Sequence, residues 1–410
     1  MNKCRVFFGH KKIINNREVR KVKKIILTGA TGDIGEQVLQ VVESNPKEFK
    51  LCAISANTNY EKLKKIADKY KPQYVVVQDE NAYNEFVKKY PAYKASALCG
   101  IDGIRYIIRN TDFDVLVEGC YGIKGVFPII EAIKADKIVC ASDAFVCAGE
   151  LLTNYLKESK GKFFPIDSEH AAVMQCLVGE KEKYIKRIIL SCSGGPFWNY
   201  KGNLDDITPK QVLENFTWER GGNKIRIDSA TLLNKGNELL EAKYLFNLKK
   251  EQIDIMIHPQ SVIQSFVEYI DGAIKAQIFN KNLISPILYT LSYPERFNNY
   301  IEEFDINKLQ NLNFYKVDIS KYPCLELAIM AGEKGGNYPL VLNSADVVAG
   351  QAFIDGKIRF TDIPRVIEKV ISKTAFVSNP SYEELLQLDI DTRIYTQEMI
   401  DNGDFGNILF

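Results

Sequence analysis

The chain has 410 residues, 46% hydrophobic and 26% charged, which excludes a largely disordered, collagen-like or coiled-coil protein and leaves room for two or three domains. Its formal net charge of +1 hides a split: residues 1–24 hold nine Lys/Arg and one Glu (+8), leaving 44 basic and 51 acidic groups (−7) elsewhere. That mildly acidic body argues against nucleic-acid binding as the main activity.

In chain order, the basic leader lacks the continuous apolar stretch of a secretory signal. It reads as an unstructured tail or an organelle transit peptide. From Val22 the pattern becomes regular. KKIILTG (23–29), KLCAISA (50–56), YVVVQ (74–78), DVLVEGC (114–120) and KIVCA (137–141) read as buried strands. Helical spacing lies between them, as in Ile34, Val38, Val41 and Val42, then Leu63, Ile66 and Ala67. Alternating strands and helices predict a parallel sheet built from βαβ units. The first strand ends in G-A-T-G-D-I-G, with Gly29, Gly32 and Gly35. After a strand and opening a helix, such a turn suits a dinucleotide pyrophosphate, because its amides can approach the phosphates. A Gly-rich turn binding nothing is the plainer alternative. The tip of the second strand, Asn57-Thr58-Asn59, has neither the acid that holds an NAD ribose nor the cation that favours NADP; Lys62 is within reach.

Further along, KFFPIDSEHAAVMQCL (162–177) is a strand running into a helix, with Asp167, Ser168 and Glu169 at the junction. This is an ordinary helix start, or one half of a cation site, since two acids so close repel unless a cation or a shared proton lies there. SCSGGPFWNY (191–200) ends a strand in a small-residue loop around Ser193, able to offer hydroxyl and amides to an anion. TPKQVLENF (208–216) is a helix, followed by Trp218 and Gly221-Gly222, a hinged lid or a plain surface loop. DSATLLNKGNELLEAKYLF (228–246) reads as one helix after Asp228. Its Asn234, Lys235 and Glu238 can share one face opposite Leu232, Leu233, Leu239 and Leu240. Asp167, Glu169 and Glu238 would suit Mg²⁺ or Mn²⁺; an intrahelical ion pair on a solvated face is the alternative for Glu238. VEYIDGAIKAQIF (267–279) is a hairpin turning at Asp271-Gly272.

The nine cysteines are scattered without a C-x-x-C pair, which points to a reducing compartment, and three histidines make a His-rich zinc site a poor reading. No run of 18 apolar residues exists to span a membrane.

Taken together, GATGDIG, PIDSEHAAVMQCL, SGGPF, IDSATLLNKGNELLEA, IHPQSVIQS, YPCLELA and VLNSAD resemble, in order, the 1-deoxy-D-xylulose 5-phosphate reductoisomerase family. The resemblance implies an NADPH-dependent conversion of that keto-sugar phosphate to 2-C-methyl-D-erythritol 4-phosphate, in isoprenoid precursor biosynthesis. It implies a Rossmann-like α/β dinucleotide-binding domain (22–165) after the leader (1–21), and an α+β catalytic and dimerisation domain (166–300). A linker (301–319) and a C-terminal helical domain (320–410) follow. It assigns metal binding (Mg²⁺ or Mn²⁺) to Asp167, Glu169 and Glu238, and catalysis to Lys235 and Glu238. Substrate contacts fall on Ser168, Ser193, Ser229, Asn234 and Lys235. Cofactor contacts fall on Gly29, Thr31, Gly32, Asp33, Ile34, Asn57, Asn59 and Gly222. A homodimer in the cytoplasm, or in a plastid-type organelle if the leader is a transit peptide, is expected, with no nucleic-acid or membrane partner.

The chain departs from the family pattern at several positions. CASDAF (140–145) replaces A-N-K-E-S, so its Lys is absent and Ser142 and Asp143 stand nearby. Asn215 stands where a His precedes the lid Trp, and Gln264 replaces the second His of I-H-P-Q-S-V-I-H-S. Asp33 occupies a position of small hydroxyl residues, and Val347 replaces the last Glu of A-L-N-A-A-N-E. These leave two further readings open: a paralogue acting on another phosphorylated keto sugar, and a non-catalytic sugar-phosphate-binding relative.

Overall fold

A computed structural model describes residues 22–214, 221–300, 304–309 and 311–406. The leader at 1–21, Asn215 and the lid residue Trp218 lie outside the described residues. The described residues form two compact units: one holds those within 22–142, 154–171 and 283–304, the other those within 143–153, 172–282 and 305–406.

In the first unit, β1 (Lys23–Thr28), β2 (Phe49–Ala56), β3 (Tyr74–Val77), β4 (Ala97–Cys99), β5 (Val115–Glu118), β6 (Ile138–Ala141) and β7 (Lys162–Pro165) form one sheet in the order β4-β3-β2-β1-β5-β6-β7. Every pairing is parallel. A parallel sheet is covered on both faces, which is why Ile25, Ile26 and Leu27 form an unbroken apolar run and are fully buried. The winding reverses between β1 and β5, the place where open α/β sheets bind ligands. Helix Asp33–Ser44 buries Ile34, Val38, Val41 and Val42, as their spacing predicts. Helix Tyr60–Tyr70 starts at Asn59, whose side chain accepts the Lys62 N–H at 3.1 Å. Helix Ile284–Ser292 returns to this unit, where Gln37 Oε1 accepts the Leu283 N–H at 3.1 Å.

In the second unit, β8 (Ile185–Cys192), β9 (Ile253–Ile257), β10 (Ile263–Tyr269), β11 (Ile274–Ile278) and β12 (Tyr315–Lys316) form a mixed sheet in the order β11-β10-β8-β9-β12. The expected hairpin is β10–β11. Helices Pro323–Lys334, Tyr338–Ile354, Asp362–Lys373 and Tyr382–Asp401 follow. Their core includes Leu327, Val341, Phe353, Val366 and Met399. Helix Pro323–Lys334 presses closely on helix Leu233–Leu245. A Cβ on Gly236 would lie 2.4 Å from Ala328 Cβ, and one on Gly332 would lie 1.9 Å from Leu240 Cδ2. At Gly236 the facing atom is a Cβ, which cannot swing away, so glycine sets the approach there; at Gly332 it is the tip of the Leu240 side chain.

One expectation needs correction. The single helix after Asp228 is two, Asn223–Thr231 and Leu233–Leu245, separated by Leu232 at φ +55°. The first begins at Gly222, upstream of the predicted start. A left-handed leucine is costly for an isolated chain, and here its side chain is buried with Cys192, Ile257, Tyr322 and Leu325.

Candidate active site

The glycine turn follows β1 directly. Gly29 has φ +64°, and a Cβ there would lie 2.7 Å from the Gly119 carbonyl, so the position admits no side chain. Gly32 begins helix Asp33–Ser44, leaving the first amides of that helix without intrahelical partners. Asp33 is exposed at the first helical position, whereas the Ile34 side chain is buried, so only its backbone can face a ligand. Lys62 reaches the turn from the next helix: its Nζ donates to the Thr31 carbonyl at 2.7 Å and pairs with Glu36. Asn57 is exposed, and Asn59 is used as a helix cap. These residues fit a dinucleotide, with one cation near the tip of β2.

Asp167 follows β7, and helix Ser168–Cys176 begins at the next residue. The Ser168 hydroxyl bonds the Glu169 carboxylate, and His170 Nδ1 lies 3.3 Å from Asp167 Oδ2. Ser168, Glu169 and His170 are buried. On helix Leu233–Leu245, Asn234 Nδ2 donates to Glu238 Oε1 at 2.6 Å, while Lys235 Nζ pairs with Glu238 Oε2. Asp167 and Glu169 stand at a helix start of the first unit and Glu238 on a helix of the second; each offers a hard carboxylate oxygen of the kind a divalent cation takes.

Ser193 begins the loop after β8, and its Oγ accepts the Gly195 N–H at 3.2 Å. A Cβ on Gly195 would lie 2.3 Å from the Ser229 carbonyl, so this loop rests on the helix that carries Ser229. The second unit thus gathers Ser193 and Ser229 where they meet. Asn234 and Lys235 follow on the next helix. Gly222 caps helix Asn223–Thr231 and is exposed.

Several charged groups were missed by pattern reading. Lys224 Nζ pairs with Asp228 and, at 2.8 Å, with Asp346 Oδ2 on helix Tyr338–Ile354. Both aspartates are buried, and burial reinforced by Asp346 holds Asp228 well above the usual carboxylate range. Glu241 accepts the Phe145 N–H at 3.1 Å, just past the altered CASDAF stretch, where Asp143 has φ +56°. Glu118 is buried at the end of β5. Lys224 and Asp228 do stand at i, i+4 on one helix, but Asp346, Glu241 and Glu118 are defined by partners far away in sequence. His258 is held below the ordinary imidazole value by burial, and its Nδ1 lies 2.9 Å from the Asn313 carbonyl. Gln264 is buried, with Nε2 donating to the Ser261 carbonyl at 2.9 Å.

Family models for 1-deoxy-D-xylulose 5-phosphate reductoisomerase match residues 25–149, 163–246 (its C-terminal domain) and 280–395 (DXP reductoisomerase C-terminal domain). The reductoisomerase of Chloroherpeton thalassium is 38% identical over 383 residues, spanning 93% of this chain and 99% of that one. That of Thermodesulfovibrio yellowstonii is 39% identical over 371 residues, 90% of this chain and 97% of that one. The Zymomonas mobilis enzyme, solved with NADPH, superposes with a TM-score of 0.85 at 33% identity, covering 93% of this chain and 100% of that one. A DOX-P reductoisomerase in complex with NADPH, fosmidomycin and magnesium gives 0.86 at 30% identity, over 94% of this chain and 100% of that one.

Proposed function

The chain belongs to the 1-deoxy-D-xylulose 5-phosphate reductoisomerase family and is a metal-dependent NADPH oxidoreductase and isomerase of that kind; we propose that Asp167, Glu169, Glu238 and Lys235 are the centre of its reaction. The observation that carries this reading is the face of helix Leu233–Leu245 on which buried Lys235 pairs with buried Glu238 and Asn234 bonds the same carboxylate, supported by the acids Asp167 and Glu169 at a helix start of the other unit. When bound, the cation supplies polarisation of keto-sugar oxygens and the dinucleotide supplies the hydride.

The chain's own residues bind and orient. Asp167, Glu169 and Glu238 hold the cation. Asn234 aims Glu238 through its amide. Lys235, Ser193 and Ser229 supply the charge and hydroxyls that a sugar phosphate needs, and Ser168 donates beside the metal ligands. Gly29, Thr31, Gly32, Asp33 and the Ile34 backbone form the dinucleotide turn, Asn57 and Asn59 its adenosine end, and Gly222 a further contact. Lys62 is the cation placed to favour the 2′-phosphate of NADPH over NADH.

We further propose that 22–165 binds the dinucleotide, 166–300 carries catalysis and dimerisation, 301–319 links, and 320–410 forms the helical domain. The outer edge of β11, with Ile274 exposed, supports a homodimer through the second sheet. Free, buried thiols such as Cys140, Cys147 and Cys324 support a reducing compartment, the cytoplasm unless the leader directs the chain to a plastid-type organelle. No helix among the described residues is long and apolar enough to cross a membrane.

The test is turnover of 1-deoxyxylulose 5-phosphate by purified protein with Mn²⁺ and each reduced nicotinamide, followed by absorbance. Metal-dependent oxidation of NADPH is expected. Binding of the sugar phosphate without turnover would favour a non-catalytic relative, and turnover of a different keto-sugar phosphate alone would favour a paralogue.

A further inference from the structure

Where the sheet reverses its winding, the residues in register at the ends of β1 and β5 are Thr28 and Glu118. Glu118 is 2% exposed. Burial raises its carboxyl against the hydrogen bonds of Thr28 and Cys120. Thr28 Oγ1 lies 2.6 Å from Glu118 Oε2 and 3.1 Å from the Val117 carbonyl oxygen. A hydroxyl has one hydrogen, and a carbonyl can only accept. The Thr28 hydroxyl is thus shared between Glu118 Oε2 and the Val117 carbonyl; when Glu118 carries its proton, Oε2 donates to Thr28 and the hydroxyl hydrogen serves Val117 alone. The Cys120 N–H donates to Oε1 at 2.8 Å, which is the carbonyl oxygen of that neutral acid. The three contacts are satisfied together when Glu118 carries its proton.

Among the described residues, no charged group acts on Glu118 to favour ionisation. The Cys120 thiol is itself pushed up by burial and by Glu118, and it bonds Gln78, so it is neutral. Gly125 faces it from the following turn, 3.4 Å from Glu118 Cγ to an added Cβ. Asp33 and Lys124 are exposed and are not among the groups acting on it. A buried carboxyl without a cation keeps its proton to higher pH, and burial pushes Glu118 up to about 7.

We infer that Glu118 is a positioning residue of the dinucleotide turn, and that its neutral form is the one that admits the dinucleotide. The inference rests on reading Gly29–Gly35 as that turn. Thr28 leads directly into Gly29, and Gly119, next to Glu118, fills the space under it. When Glu118 loses its proton, it can only accept. Thr28 must then turn from Val117 to serve it, and a negative charge is left beneath a turn that faces a pyrophosphate. Both changes oppose binding. By linkage, binding near the ionisation takes up a proton from solvent at Glu118.

The experiment measures the NADPH dissociation constant of the full chain between about pH 6 and about pH 9, beside Glu118→Gln. The glutamine amide donates to Thr28 and accepts from Cys120 without titrating. The wild type is expected to lose up to about tenfold in affinity per pH unit above the ionisation, while Glu118→Gln keeps its acid-side affinity throughout. Titration of the NADPH 2′-phosphate is common to both and cancels in the comparison. Calorimetry of the wild type in two buffers of different ionisation enthalpy needs no variant, and should show uptake of a fraction of a proton. Parallel loss in the two proteins, or no proton uptake, overturns the inference. Failure of NADPH to bind at every pH overturns the reading of the turn instead.

Discussion

Lys235 and Glu238 lie one turn apart on helix Leu233–Leu245, both buried, with the ammonium of one closed on the carboxylate of the other. A cation suited to a phosphate and an anion suited to a metal neutralise each other. Each is kept from the cost of an unpaired buried charge until its ligand arrives. On the proposed roles, the metal and the substrate phosphate would divide this pair between them.

Replacing Lys235 by Met removes the competitor for Glu238. Mn²⁺ is expected to bind several-fold more tightly by calorimetry, while KM for the sugar phosphate rises about tenfold or more. Weakening of both would mean that Lys235 organises the metal site rather than competing for it. Glu238→Gln keeps the shape and removes the charge, so Mn²⁺ affinity should fall at least about tenfold; undiminished binding would count against the site.

At the cofactor end, Lys62→Met should weaken NADPH by about tenfold and leave NADH unchanged, measured by fluorescence titration of each. An equal loss for both nucleotides would show that Lys62 serves the turn through the Thr31 carbonyl and Glu36, and not the 2′-phosphate.

Asp33 competes with an anionic ligand for the same helix amides. Asp33→Ser is expected to tighten NADPH binding several-fold at low salt, with the gain shrinking as ionic strength rises. Weaker binding would make Asp33 a direct ligand, to ribose or to a bound cation.

The Asp228–Lys224–Asp346 cluster bears on stability. Because Asp228 is held above its unfolded value, the folded chain keeps a proton that the unfolded chain releases. That contribution is full at acid pH, below the unfolded value, and is lost as pH rises toward the folded one. Asp346→Asn leaves a single carboxylate facing Lys224. It should stabilise the chain by about 1–2 kcal/mol near pH 8 and by less near pH 5, by urea unfolding at both. Destabilisation at both would show that the second charge is needed.

The first sheet is legible because strands buried on both faces read as unbroken apolar runs, and because the glycine turn has one place to stand. Strand β4, three residues ending in the half-exposed Cys99, is too short to leave a pattern. The break at Leu232 is hidden for a different reason: its apolar spacing continues across it, and tertiary burial alone holds the left-handed residue. In the site, Asn234, Lys235 and Glu238 are visible as a helix face, and Asp167 and Glu169 as neighbours on an extended junction. Lys224 and Asp346, 122 positions apart, are not, since no local spacing joins them. The hydrogen bond between Thr28 and Glu118, 90 positions apart, is likewise invisible to local spacing.

Where Gly236 meets Ala328 and Gly332 meets Leu240, the helix that carries Asn234, Lys235 and Glu238 has no slack behind it. Rolling or sliding it drives the glycine of one helix against a side chain of the other. Its amides should then exchange with deuterium only when the helices behind it open as well, making 233–245 one of the slowest-exchanging segments of its unit. A truncation at Tyr322 would accordingly unmake the site, although every residue assigned to it lies upstream of the cut.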